Sequence, residues 1–254
     1  MDVKTAFLHS ELEEIVFMHI PEGLHGEVVS TSSEPPLVCQ LKKSIYGLKQ
    51  SPRAWYGKIN KFFIDHGFQR SEQDHTVYIH TIFSVIILLY VDDLVITSPT
   101  SNEISWIQEL LKAEFEMTDL GPLTSFLGLE IRRNRSLRTL HLSQQRYIDT
   151  ILTRHGMSTA STINTPADAH VRLVKSSPEQ QADPINQQRY QSAVGSLMYA
   201  MIGTRLDIAF AVPSVSQFSS NPGPPHLTAM RRIFRYLAVT RTLGLTYGGG
   251  ICSG

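Results

Sequence analysis

SVIILLYVDDLVITS, from Ser84 to Ser98, places two adjacent carboxylates, Asp92 and Asp93, inside the most hydrophobic stretch of the chain. Apolar and β-branched residues on either side read as two strands, Ser84 to Tyr90 and Leu94 to Thr97, joined by a turn. Ile82 to Val91 is too short to span a bilayer. An Asp-Asp hairpin turn holds both carboxylates at a sheet's rim while its strands stay buried. Adjacent like charges raise one another's pKa unless a cation neutralises them. Magnesium does so with hard oxygen ligands, keeping waters and adding substrate phosphates. Two such ions about 3.5–4 Å apart form the clamp used for in-line displacement at phosphorus. The plain alternative is an exposed Asp-Asp turn without a ligand.

Outward from this stretch, strands and helices mix in an α+β pattern. DVKTAFL (Asp2 to Leu8) reads as a short strand, with Asp2 as a third candidate carboxylate. Ser10 followed by Glu13 has the spacing of a capping box and predicts a brief helix. Leu37 to Leu41 and Val77 to Ile79 read as strands. Ser51-Pro52 predicts a helix start, with Trp55, Ile59, Phe62 and Phe63 at core spacing and Gly67 as its stop. Ile104, Ile107, Leu110, Leu111 and Phe115 mark a second amphipathic helix. Phe126 to Ile131 and Thr139 to Leu142 predict a hairpin around NRSLR, and Ser143 a cap for a helix ending at Gly156. Met157 to Gln188, rich in Ser, Thr, Ala, Pro, Gln and Asp, reads as a linker. Helical stretches follow at Tyr190 to Ile202, Asp207 to Phe218 and His226 to Leu237, the second interrupted by Pro213. The chain closes on a Gly-rich tail in which no regular element is expected.

The 254 residues carry 23 basic and 23 acidic side chains, a formal net charge of zero. Charge is segregated: acids dominate the first 34 residues and Glu72 to Asp119. Bases cluster at Lys42, Lys43, Lys49, Arg53 and Lys58, at Arg132 to Arg154, and at Arg231 to Arg241. Such alternation suits a phosphate-tracking surface around an acidic metal site, and equally suits solvated faces. Cys39 and Cys252 have neither metal-type nor redox-type spacing, which points to an intracellular compartment, cytoplasmic or nuclear. The ten histidines form no H-x-x-x-H pair. No secretory signal or membrane partner is read.

Asp2-Val3 with Ala6-Phe7, and Tyr90-Val91-Asp92-Asp93, resemble the two carboxylate motifs of reverse transcriptases. SIYGLKQSPRAW (Ser44 to Trp55) resembles the intervening motif of the copia-type retrotransposon members. EFEMTDLGPLTSFLGLEI (Glu114 to Ile131), LSQQRYI (Leu142 to Ile148) and TRLDIAFAV (Thr204 to Val212) follow in family order. The resemblance implies a right-hand polymerase palm, an antiparallel sheet with flanking helices, followed by thumb- or connection-like helices. It implies RNA-directed DNA synthesis with two Mg²⁺ ions (Mn²⁺ as a substitute), an RNA/DNA template-primer and deoxynucleoside triphosphates. Asp2, Asp92 and Asp93 are then the catalytic carboxylates, with the Val3 carbonyl as a further metal ligand. Phe7 matches the side chain that excludes a ribose 2′-hydroxyl, and Tyr46, Gly47, Lys49 and Gln50 line the nucleotide. Phe126, Leu127 and Gly128 match the primer grip; Lys42, Lys43, Arg53, Arg132, Arg133 and Arg146 are candidate phosphate contacts.

The expected domains are a palm over 1–132, the grip's end and a thumb-like helix over 133–156, a linker over 157–188 and a helical connection region over 189–254. The family places fingers ahead of DVKTAFL and a ribonuclease H domain beyond the last helices. Both are expected to be largely missing between Met1 and Gly254. Leu206 stands where the family has proline. The sequence is therefore compatible with a polymerase and with a catalytically dead relic that at most binds nucleic acid.

Overall fold

The side chains of the quoted hairpin alternate between a buried and an open face, and the first of two units is built on that alternation. The computed structural model describes residues 1–23, 37–177 and 183–248. It divides into the units Met1–Pro122 and Leu123–Gly254. In the first, β4 (Phe68–Arg70), β5 (Val77–His80), β6 (Ile86–Tyr90), β7 (Asp93–Thr97), β1 (Asp2–Val3) and β8 (Met117–Thr118) form one sheet in that order, every pairing antiparallel. Tyr78, Ile87, Leu89, Leu94 and Val3 point to one face. There they share a core with Trp55, Ile59 and Phe63 of α1 (Ser51–Asp65) and Ile107 and Leu111 of α2 (Ser101–Glu114). The opposite face carries Ile79, Ile86 and Tyr90, all exposed, so the hairpin strands are buried on one side only.

Several local expectations yield to longer-range partners. The DVKTAFL strand is two residues long: Thr5, at φ 50°, turns the chain into a 3₁₀ turn at Ala6–His9. The helix expected after Ser10 is instead β2 (Glu11–His19), paired with β3 (Val38–Lys43). Ser10 cannot cap because its hydroxyl is engaged with the Phe7 carbonyl and Ser44, while IVFM has the β-branched and aromatic character of a strand. Helix α1 begins as expected, but the Ser51 hydroxyl donates to the Ile45 carbonyl at 2.5 Å and caps nothing. Thr100 does cap α2, through the amide of Glu103.

Among the described residues, the second unit pairs a four-stranded antiparallel sheet with four α-helices. Its sheet order is β12 (Gly244–Gly248), β11 (Thr139–Ser143), β10 (Leu129–Asn134), β9 (Ser125–Phe126). Ile148 and Ile151 of α3 (Gln145–Arg154), Val194 and Leu197 of α4 (Pro184–Gly203), Val212 of α5 (Ala211–Ser216) and Ile233 and Leu237 of α6 (Pro224–Val239) are fully or almost fully buried together. The expected NRSLR hairpin is β10–β11. A boundary at residue 132 would cut β10 in two, and α3 shares its core with the later helices. Ser143 ends β11 rather than capping α3. The glycine-rich tail was expected to be featureless, yet β12 pairs along all of β11. A Cβ at Gly244 would fall 2.0 Å from the Leu142 carbonyl, so this pairing needs glycine there. Residues 249–254 and Cys252 lie outside the described residues.

The stretch expected as a linker over 157–188 has no regular element through residue 177, but α4 already begins at Pro184 inside it, with Asp183 as its cap, and the part before is strapped to α6. Arg232 contacts Asp168 at 3.2 Å, Arg235 donates to the Ser161 carbonyl, and the buried His226 ring holds the Val174 carbonyl at 2.9 Å. The expected helix at Asp207 to Phe218 divides into a 3₁₀ turn (Leu206–Ile208) and α5. Pro213 sits in the first turn of α5, where a missing N–H leaves no intrahelical bond unmade.

TRLD is a structural motif here. Arg205 is fully buried and grips Asp207 with two hydrogen bonds, at 2.9 and 2.7 Å, and also donates to the Thr240 carbonyl. Tyr236 donates to the same carboxylate at 2.7 Å. Burial alone would raise the Asp207 pKa, but the hydrogen bonds from Arg205 and Tyr236 outweigh it and hold the carboxyl below its ordinary range. With the folded value depressed, the stabilisation is complete above the ordinary pKa of about 3.9 and is lost as pH falls through the lower folded value. Asp207→Asn should therefore lower the urea midpoint of the second unit at neutral pH and flatten its decline on acidification. A variant whose midpoint falls as steeply as the parent's between about pH 5 and 2 would contradict this assignment.

Candidate active site

β1 pairs with β7 so that Asp2 lies directly opposite Asp93, and β7 pairs with β6 so that Asp93 also lies opposite Tyr90. Opposed residues in an antiparallel pair share a face, with Cβ atoms about 4.5–5.5 Å apart. Tyr90, Asp93, Asp2 and Thr118 thus make a row across four strands on the open face, while Leu89, Leu94 and Val3 point into the core. This answers why carboxylates interrupt so apolar a segment: strand alternation sends Asp93 and Asp2 to the open face and Leu94 and Val3 inward, while Asp92 lies in the turn.

The turn differs from the Asp-Asp turn expected. Its two loop residues are Val91 and Asp92, and Asp93 already belongs to β7. Val91 has φ 57°, a conformation that costs an L residue about 1–2 kcal/mol. Two hydrogen bonds hold the backbone there. The indole N–H of buried Trp55 donates to the Val91 carbonyl at 2.6 Å, and the Val3 amide donates to the Asp92 carbonyl at 2.9 Å. Trp55, expected only as core, is also the anchor of the turn, a role its helical spacing could not reveal.

Burial foremost, then the nearby carboxylates of Asp92 and Asp2, push the Asp93 pKa above its ordinary value. Negative charge is thus concentrated without full compensation. Among the described residues no three His, Cys, Asp or Glu side chains already form a cage that could hold a metal ion. Magnesium does not require one: it commonly takes one or two carboxylates and completes its shell with water and substrate phosphate. The hard, anionic donors of Asp2, Asp92 and Asp93 fit that chemistry.

Phe7 lies in the 3₁₀ turn after β1, almost fully buried, with its ring edge-on to Tyr46 at a centroid distance of 4.5 Å. Tyr46, Gly47, Lys49 and Gln50 occupy the turns between β3 and α1. Tyr46 is exposed, and Gly47 adopts φ 95°, open to glycine at no steric cost. Lys42 and Lys43 are exposed on β3 and Arg53 on α1. Lys58, counted in the same basic run, is instead tied to the His9 carbonyl and faces Glu114.

In the second unit, Phe126, Leu127 and Gly128 form the tip of the β9–β10 hairpin. Its two loop residues, Leu127 at φ 49° and Gly128 at φ 80°, have the left-handed backbone of a type I′ turn. Tyr199 donates to the Leu127 carbonyl at 3.2 Å. Arg132 and Arg133 are exposed but adjacent on β10, so strand alternation sends them to opposite faces. Arg146 is exposed on α3, whereas Arg232 and Arg241 of the third basic run pair with Asp168 and Asp149.

Residues 1–169 match the family described as reverse transcriptase (RNA-dependent DNA polymerase). The chain belongs to that family, in its copia-type retrotransposon branch. Over 98% of its length it is 42% identical to the Retrovirus-related Pol polyprotein from transposon TNT 1-94 of Nicotiana tabacum, of which it covers 19%. It is 37% identical over 96% of its length to the corresponding polyprotein from transposon RE1 of Arabidopsis thaliana, covering 16% of it. A putative transposon Ty5-1 protein of Saccharomyces cerevisiae is 33% identical and is covered to 79%. The chain thus spans less than a fifth of the two plant polyproteins. No solved structure matches it. Among the described residues no helix is long and apolar enough to cross a membrane.

Trp55→Phe keeps an aromatic ring in the core and removes the hydrogen bond to Val91. We expect a stability loss of about 1 kcal/mol. Amide exchange should quicken at Val91 to Leu94 but not along β4–β5. Unchanged exchange in the hairpin would show that the indole does not hold the turn.

Proposed function

We propose that this chain carries the polymerising centre of an RNA-directed DNA polymerase, which extends a primer 3′-hydroxyl with deoxynucleoside triphosphates on an RNA or DNA template. The observation that carries the reading is the register that sets Asp2 opposite Asp93, one residue from Asp92. In this reading the first unit is a palm and the second supplies thumb- and connection-like helices. Asp2, Asp92 and Asp93, with the Val3 carbonyl, would hold two divalent ions. When bound, such ions polarise the primer hydroxyl and neutralise charge on the leaving pyrophosphate.

The chain's own residues do the rest by positioning. The Val91–Asp92 turn, fixed by Trp55 and Val3, holds the carboxylates at one place on the sheet, and misplacement by about 1 Å can cost roughly 10²-fold in rate. Tyr90, exposed and directly opposite Asp93, gives a nucleotide sugar and base an apolar surface beside them. Phe7 excludes a ribose 2′-hydroxyl, while Tyr46, Gly47, Lys49 and Gln50 line the incoming nucleotide. Phe126, Leu127 and Gly128 take the primer-grip role that the family resemblance gives them. Lys42, Lys43, Arg53, Arg146 and one of Arg132 or Arg133 meet phosphates. Those contacts are sequence-independent and weaken with salt through counterion release.

A second reading, nucleic-acid binding without catalysis, draws on the exposed basic side chains of Lys42, Lys43, Arg53 and Arg146. Primer extension on an RNA template with Mg²⁺, run beside a template-primer binding assay, separates the two. Asp92→Asn should lower extension by at least about 10³-fold and leave template-primer affinity within about twofold. Equal extension by parent and variant would exclude a catalytic role for Asp92. Binding without extension by either would favour the second reading.

A further inference from the structure

The Phe7 carbonyl is the meeting point of two buried hydroxyls from different parts of the first unit. Ser10, almost fully buried, donates to it at 3.0 Å, and Ser44, with no exposed surface, donates to the same oxygen. The hydroxyls lie 2.9 Å from each other, and the Ser10 amide also donates to the Phe7 carbonyl, at 3.2 Å. The Ser44 amide in turn donates to the Ser10 carbonyl at 2.9 Å. Two hydroxyl protons therefore serve three oxygen–oxygen contacts, a small shared network sealed from water. Burying two hydroxyls is costly unless they are bonded, so this pair defines one backbone position rather than tolerating several. It ties the turn carrying Phe7 to the end of β3, two residues before Tyr46, whose ring meets Phe7 edge-on.

We propose that Ser10 and Ser44 are positioning residues for sugar discrimination: their paired hydroxyls fix the Phe7 main chain and so hold its ring where a ribose 2′-hydroxyl would fall. The inference rests on the reading of Phe7 given above. Removing one hydroxyl deletes no contact to a nucleotide. It frees the Phe7 carbonyl to shift, and the ring and its Tyr46 neighbour shift with it.

The test is equilibrium binding of ATP and of dATP to the Mg²⁺-containing complex of the chain with a dideoxy-terminated primer on an RNA template presenting uridine. No chemical step is then needed. The readout is the ratio of the two dissociation constants, because a variant that is merely destabilised loses both nucleotides alike. The parent should prefer dATP, and Phe7→Val should erase that preference. Ser44→Ala should lower the ratio by about tenfold. Ser10→Ala should lower it less, since the Ser44 hydroxyl still ties the Phe7 carbonyl to the distant segment after β3 and the Ser10 amide still donates to it; this milder variant also covers the case in which Ser44→Ala does not fold. If Phe7→Val erases the preference and both serine variants keep it, the positioning role is overturned and the role of Phe7 stands. If the parent shows no preference, or Phe7→Val retains it, the reading of Phe7 falls and this inference with it.

Discussion

The antiparallel register of β1 with β7 is the constraint on which the rest of the first unit depends. A slip of one residue would turn Asp2 inward and bring Val3 to the open face, because the side-chain period of a strand is two. The register is held by packing on one face and by main-chain hydrogen bonds in the sheet. Val3 and Leu94 are buried beneath it, and main-chain bonds from Val3 to Asp92 and between Met1 and Leu94 lock the pairing. Hydrophobic burial thus opposes the mutual repulsion of the carboxylates, which by itself would drive Asp2 and Asp93 apart. The repulsion remains visible in the raised pKa of Asp93, after the larger effect of its burial.

Polar anchors inside the core translate this register into a site. Val91 at positive φ is an unfavourable choice for a hairpin turn, where glycine or asparagine would relax. It is held by an indole N–H reaching up from α1. The same logic governs Phe7, whose carbonyl is gripped by two buried serines. The second unit shows it again at Arg205, buried, held by Asp207 and donating to the distant Thr240 carbonyl. In each case a side chain from a distant segment fixes the backbone of another, so position is set by tertiary contacts rather than by local propensity.

This division also explains what could be read in advance. The helices α1, α2, α3, α4 and α6 announce themselves by apolar spacing, and the hairpins β6–β7 and β10–β11 by alternation around turns. That Asp2 comes to lie opposite Asp93 was legible only through the resemblance of the two motifs to those of reverse transcriptases, since no local pattern joins strands so far apart in sequence. Elsewhere the outcome turned on a partner far along the chain. Ser10 has the spacing of a cap for a helix, but its hydroxyl is taken by Phe7 and Ser44, and Glu11–His19 pairs with β3. Gly244–Gly248 becomes a strand only because β11 offers an edge. Lys58 and Arg232 look like phosphate-binding charges in a linear count, yet Lys58 bonds His9 and Arg232 bonds Asp168. A charge run cannot disclose which of its members are already paired.

The central claim is that the carboxylates gathered by the β1–β7 register serve one divalent-ion site. Crystals grown with Mn²⁺ and an unreactive deoxynucleoside triphosphate analogue test it directly through anomalous scattering. The account predicts manganese within coordination distance, about 2.0–2.3 Å, of carboxylate oxygens from Asp93 or Asp92 and from Asp2, with phosphate oxygens completing the shell. Manganese bound only elsewhere, or Asp2 oxygens beyond the reach of an ion held by Asp92 and Asp93, would contradict it.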